Sequence, residues 1–115
     1  MEVNRKILFS KEFEEFFKNL DTAVREKYIY AFNIIKAQYV VNKKFIKKIE
    51  ESNLYELRIS ISSNEYRTLL FTMNHESFME STCILLLNSF LKKSSKQYKS
   101  EIRLAQKILT EYVEE

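Results

Sequence analysis

Apolar and polar positions along the chain change period several times, and each change marks an element. Val3, Arg5, Ile7 and Phe9 alternate with Asn4, Lys6 and Leu8, the period of two expected for a first strand with one face more buried than the other. From Ser10 the period lengthens. Phe13, Phe16, Phe17 and Leu20 fall three and four apart, the stripe of a buried helical face, with Ser10 placed to cap it and Glu12 and Glu14 in the first turn, where the helix dipole favours them. Asp21 or Thr22 restarts the pattern, and Val24, Ala31 with Phe32, Tyr28, Ile35 and Tyr39 carry it through a second helix. Two antiparallel helices are the simplest consequence.

The stretch Lys43-Lys44-Phe45-Ile46-Lys47-Lys48 breaks the helical period. It reads either as a solvated segment anchored by Phe45 and Ile46 or as part of a nucleic-acid surface. Three strands follow. In the first, Tyr55, Leu57, Ile59 and Ile61 share one face and leave Glu56 and Arg58 together on the other. Ser62 to Glu65 forms a short turn in which Asn64 is the residue that tolerates positive φ. The next strand, Tyr66 to Met73, puts Arg67, Leu69 and Phe71 on one face and Tyr66, Thr68 and Leu70 on the other, and Asn74-His75-Glu76 turns the chain again. Cys83 to Leu91 is apolar on both faces, as in a strand central to a sheet, and Lys92 marks its exit to solvent. A last helix is expected to begin near Tyr98 to Ser100, with Ile102, Ala105, Leu109 and Tyr112 on its packed face.

These elements make one α+β domain over residues 1–115: a small antiparallel sheet flanked by an N-terminal helix pair and a C-terminal helix. At 115 residues, with 45% hydrophobic and 14% aromatic positions, the chain can build its own core. No run approaches the roughly 18 apolar residues of a membrane span, and Met1-Glu2-Val3-Asn4 lacks the basic-then-apolar order of a signal peptide, so the cytoplasm is the expected compartment. The single cysteine, Cys83, has no disulfide partner and no metal-ligand company, and reads as a small core residue. Neither a metal nor a cofactor is expected. Gly and Pro are both absent, which leaves Asn, Ser and Asp to make the turns and removes every Gly-rich phosphate loop.

A net charge of +3 is too mild to indicate a nucleic-acid partner, so its distribution matters more. Lys92, Lys93, Lys96, Lys99, Arg103 and Lys107 face one anion, Glu101, whereas residues 10–26 hold Glu12, Glu14, Glu15, Asp21 and Glu26. An arginine on each of two neighbouring strands and a lysine cluster at the exit of a third gather cations on one side of the sheet. That is a site for phosphate.

The segments Leu54-Tyr55-Glu56-Leu57-Arg58, Tyr66-Arg67, Ser89-Phe90-Leu91-Lys92-Lys93 with Lys96, and Glu101-Ile102 with Ala105 resemble, in order and spacing, the HigB-like (phage Gp49-like) branch of the RelE/ParE toxin superfamily. The resemblance runs from about Phe45 to Ala105. It implies a RelE-like fold and the toxin of a type II toxin-antitoxin module, an endoribonuclease that cuts messenger RNA on the ribosome without a metal. It also implies neutralisation by a cognate antitoxin, typically a helix-turn-helix protein, with oligomers only in that complex. A ParE-like gyrase poison and a non-catalytic binding protein of the same fold are the alternatives. Two positions depart from the pattern: Ser89 stands for a glycine, and Gln97-Tyr98 for the Thr-Pro that opens the last helix.

Metal-free RNA cleavage needs the 2′-hydroxyl aligned and deprotonated, the phosphorane charge neutralised and the leaving 5′-oxygen protonated. Arg58 and Arg67 suit the charge role, because a guanidinium stays ionised and offers a planar fork to phosphate. The same arginines would serve equally as ion-pair partners, Arg58 of Glu56 or Glu65 and Arg67 of Glu65 or Glu80. The resemblance favours function, with both arginines exposed to substrate, and carries Lys92, Lys93 and Lys96 into the catalytic set. Lys43, Lys44, Lys47, Lys48, Tyr98 and Lys99 are the RNA-contacting candidates, Tyr98 either stacking on a base or packing. His75 reads as a solvated turn residue.

Overall fold

The computed structural model describes residues 3–114; Met1, Glu2 and Glu115 lie outside them, and with them the part of the N-terminal reading that rests on Met1 and Glu2. Strand β1 (Lys6–Phe9) leads into helices α1 (Lys11–Lys18) and α2 (Thr22–Ala37), followed by β2 (Ile46–Lys48), β3 (Tyr55–Ile61), β4 (Asn64–Thr72), β5 (Cys83–Leu91) and helix α3 (Ser95–Val113). The five strands form one sheet in the order β1-β5-β4-β3-β2.

The α+β architecture is as expected, with two additions. The sheet is mixed, because β1 runs parallel to β5 while the other three pairings are antiparallel. The basic segment before Glu50 also contributes a strand: Ile46–Lys48 pairs with Leu57–Tyr55 as β2 at the sheet edge. Lysines suit such an edge, since charge on it discourages pairing with another chain.

Helices α1 and α2 cover one face. Ser10 caps α1 by accepting from the Phe13 N–H at 3.0 Å, and its own hydroxyl donates to the Leu87 carbonyl at 2.6 Å, which ties the helix start to β5. Phe13, Tyr28, Ala31, Phe32 and Ile35 pack there on Leu57, Ile59, Leu70, Ile84 and Leu86. On the opposite face α3 lays Ala105, Ile108 and Leu109 on Leu69, Leu85 and Leu87.

A β-bulge separates these packing patterns along β5. Between the pairs Leu70↔Leu86 and Thr68↔Ser89, β4 advances two residues while β5 advances three. The extra residue reverses the alternation. Leu85 and Leu87 face α3, Ser89 turns to the helix-pair side to meet Thr68 at 2.6 Å, and Phe90 returns to the α3 side. In an unbulged strand Phe90 would have faced the helix pair.

Other boundaries moved slightly. β1 starts at Lys6, and α3 starts at Ser95, three residues before the expected point, because Ser94 accepts from the Gln97 N–H as N-cap. In the β3–β4 turn it is Ser62, at φ 54°, and not Asn64 that adopts the left-handed conformation. Cys83, expected in the core, is half-buried at the first position of β5.

Candidate functional site

Strands β3 and β4 set the floor of the site. Arg58 and Arg67 are directly paired across them, and Arg67 is paired in turn with Phe90 of β5, so Arg58, Arg67 and Phe90 form one row on the α3 side. In the neighbouring row Lys47 is paired with Glu56 and Glu56 with Leu69. Tyr98, in the first turn of α3, closes the site from above. Its ring meets Phe90 edge-on at 5.2 Å, a contact that depends on the bulge.

The Tyr98 hydroxyl sits at the centre. It donates to Glu56 Oε2 at 2.7 Å and accepts from Arg67 Nε at 3.1 Å. Burial first, and the adjacent Glu56 carboxylate second, push the Tyr98 hydroxyl up to about 12, because ionising it there would set two anions side by side with little water. Tyr98 therefore keeps its proton through the neutral range. Glu56 is itself buried and lies between two guanidiniums, 3.5 Å from Arg67 Nε and 4.0 Å from Arg58 Nε.

The two arginines differ. Arg67, expected to be open to substrate, is 2% exposed: Nε serves Tyr98, Nη1 donates to the Tyr66 carbonyl at 3.0 Å and Nη2 to Glu65 Oε1 at 3.3 Å. The Ser60 hydroxyl first, and Arg67 after it, hold the Glu65 carboxyl below its usual range. Arg67 thus realises the ion-pair reading, with Glu65 and Glu56 as partners; Glu80, the other candidate, accepts instead from the Tyr39 hydroxyl. Arg58 keeps 29% of its side chain exposed, while its Nε is buried and has no hydrogen-bond partner among the described residues. It is the more accessible of the two arginines.

Lys92, Lys93 and Lys96 are exposed at the end of β5 and the start of α3, on the approach to Tyr98, and Lys99 is exposed one residue beyond it. Their loop is held by backbone and by Gln97. The Lys92 N–H donates to the Glu65 carbonyl at 2.8 Å, Gln97 Oε1 accepts from the Lys93 N–H at 2.8 Å and Gln97 Nε2 donates to the Leu91 carbonyl at 3.0 Å. The basic segment before β3 is divided. Lys47 lies beside Glu56, whereas Lys48 sits over the Tyr55 ring and Lys44 over the Phe45 ring, on the helix-pair side. His75 is exposed in the loop after β4, where Nδ1 accepts from the Ser77 N–H at 3.0 Å. It takes no part in the cluster.

Glu56 and Gln97 are the members given no site role from the sequence, where Glu56 stood only as an ion-pair partner of Arg58 and Gln97 as a departure from the resembled pattern. Ser94-Ser95-Lys96-Gln97 does carry a signal, the Ser-x-x-Gln of a capping box. Among the described residues no group of three or more His, Cys, Asp or Glu could hold a metal ion, and no helix is long and apolar enough to cross a membrane.

The family described as "Phage derived protein Gp49-like (DUF891)" matches residues 15–110, and the chain belongs to it. Its fold is that of the RelE superfamily. The structure of a free-state double mutant of the E. coli toxin RelE superposes with a TM-score of 0.60 at 15% identity, covering 93% of this chain and 97% of that one. None of the curated proteins is a significant match to the sequence.

Proposed function

We propose that this chain is the toxin of a toxin-antitoxin module and cleaves messenger RNA on the ribosome, in the cytoplasm, by attack of the 2′-hydroxyl on the adjacent phosphate. The observation that carries the reading is the Tyr98 hydroxyl held between Arg67 Nε and Glu56 Oε2, with the exposed Lys92, Lys93 and Lys96 just before it in the chain. Family membership and the RelE fold support the class.

Tyr98 works as a neutral relay. As its oxygen takes the proton of the 2′-hydroxyl, its own proton passes to Glu56 Oε2, so no free tyrosinate forms. The guanidinium of Arg58, the more exposed of the two arginines, neutralises charge on the phosphorane. One of Lys92, Lys93 and Lys96 protonates the leaving 5′-oxygen and the others hold the flanking phosphates. Arg67 acts through the residues it touches. It aligns Tyr98 and balances the charge of Glu56.

A partner protein, of the helix-turn-helix type that this branch implies, neutralises the toxin. Induction without that partner tests the reading. Growth should stop, with translated messages lost and DNA intact; broken DNA with whole messages would replace it with gyrase poisoning, and unaffected growth with a non-catalytic role.

A further inference from the structure

A cleft lies on the other side of the sheet edge from Tyr98. It measures about 840 Å³ and is bounded by α2 on one wall and by the end of β3 with the segment before β2 on the other. Three cations line it, Lys27, Lys44 and Arg58, against one anion, Glu26. Between them stands Tyr30, 61% exposed although it is an aromatic side chain on a helix that otherwise buries its rings. Its ring lies 6.3 Å from that of Phe45, and Lys44 covers Phe45 at 5.5 Å.

We infer that this cleft binds an unpaired nucleotide of single-stranded RNA, stacked on Tyr30 with its phosphates on Lys27 and Lys44. An exposed aromatic face flanked by cations is the usual equipment for single-stranded nucleic acid, since every base has a π face and every linkage a charge. Arg58 gives the cleft its connection to the chemistry. The residue that lines the cleft also reaches to 4.0 Å from Glu56 on the α3 side, so a strand seated on Tyr30 is led over the edge of β3 toward Tyr98. The inference rests on the ribonuclease reading for the identity of the ligand.

A peptide strand added to the edge of β3 fits less well. The Arg58 N–H is already bonded to the Phe45 carbonyl at 2.7 Å, and only Ile59, Ser60 and Ile61 remain before Ser62 turns the chain at φ 54°. Backbone groups alternate in direction along a strand, so this stretch offers few of them to an added chain.

The test uses the full chain and a short, unstructured 2′-O-methyl RNA, which cannot be cut through its 2′-oxygen, with binding followed by fluorescence anisotropy. Tyr30→Ala should weaken binding about tenfold, in the range of one lost base stack, while Tyr30→Phe keeps it. Lys44→Ala should reduce the salt dependence of log K by roughly 0.7, the share of one phosphate contact to a single strand. With 4-thiouridine in the RNA, crosslinks should map to Tyr30 or Phe45. Thermal melts of the variants should match the parent, since Tyr30 and Lys44 are exposed. Absent RNA binding, or an affinity indifferent to Tyr30→Ala, overturns the inference, as does a Tyr30→Ala change that weakens only capture of the partner protein. Tyr30-dependent binding in a chain that cuts no message would uphold the cleft and remove the ribonuclease reading.

Discussion

Arg58 and Arg67 are direct partners across β3 and β4, yet one is sealed and the other open. Arg67 is 2% exposed with its donors committed to Tyr98, Tyr66 and Glu65, while Arg58 keeps 29% of its side chain exposed. Substituting each in turn separates charge that holds the site from charge that meets substrate.

Arg67→Ala removes the partner of a buried carboxylate and should destabilise the domain by about 3–5 kcal/mol, because Glu56 then stays buried with less compensation. For a domain of this size that lowers the melting temperature by roughly 15 °C or more. Arg58→Ala breaks only a long, part-exposed contact and should cost under about 1 kcal/mol, yet reduce cleavage roughly 100-fold or more. Thermal melts beside cleavage rates check the pair. A stable Arg67→Ala protein, or an Arg58→Ala protein that melts early, would reverse the assignment.

Tyr98→Phe keeps the ring on Phe90 and removes the relay. The variant should fold and should lose most cleavage, whereas a purely packing Tyr98 would leave cleavage intact. The alkaline limb of stability carries a second signature. Because the folded-state value, about 12, lies above the unfolded value near 10, the parent has the full benefit of this group below about pH 10 and loses it as pH rises toward 12. Tyr98→Phe should lack that component, so urea midpoints of the two proteins should converge as pH climbs through this window.

Arg5 offers a test remote from the site. It is 2% exposed and its guanidinium donates to six carbonyls, those of Ile35, Gln38, Tyr39, Phe78, Met79 and Ser81, while stacking 4.6 Å from the Phe78 ring. It binds the end of α2 to the loop before β5. Arg5→Met should cost at least about 3 kcal/mol, since several buried carbonyls lose their donor, and Arg5→Lys should not restore it, since an ammonium lacks the planar fork. Soluble yield and melting temperature are the measurements; a near-neutral Arg5→Met would show that water replaces the guanidinium.

The alternation that placed Tyr55, Leu57, Ile59 and Ile61 against Glu56 and Arg58 survives in the structure, as does the span of β5, because face and burial leave a period-two imprint. Other features leave none. β2 is three residues long with one buried side chain, too little for a period. Arg5 shares the packed face of the first strand, but its six carbonyls come from segments thirty and more residues away. The sealing of Arg67 likewise depends on α3 beginning at Ser95 and on a bulge that turns Phe90 toward Tyr98. Neither the bulge nor the resulting clamp on Glu56 is written in local spacing.

The lysines divide by proton chemistry. Lys→Arg at the position that protonates the leaving oxygen should fail to support cleavage, because guanidinium does not release a proton near neutral pH, while the charge-only positions among Lys92, Lys93 and Lys96 should tolerate arginine. His75→Ala should retain most activity, since its imidazole is engaged with the Ser77 N–H in an outlying loop. Cleavage rates on ribosomes decide it. A dead His75→Ala beside three fully active Lys→Arg variants would move the proton transfer away from α3.

The central claim is that this chain cuts messages during translation through the Tyr98–Glu56–Arg58 arrangement. Primer extension on a translated reporter, after induction of the parent chain or of Arg58→Ala, tests it most directly. The account predicts discrete cuts in the reading frame with the parent and nearly none with Arg58→Ala at equal protein level. Whole reporter RNA in arrested cells, or cuts undiminished by Arg58→Ala, would contradict it.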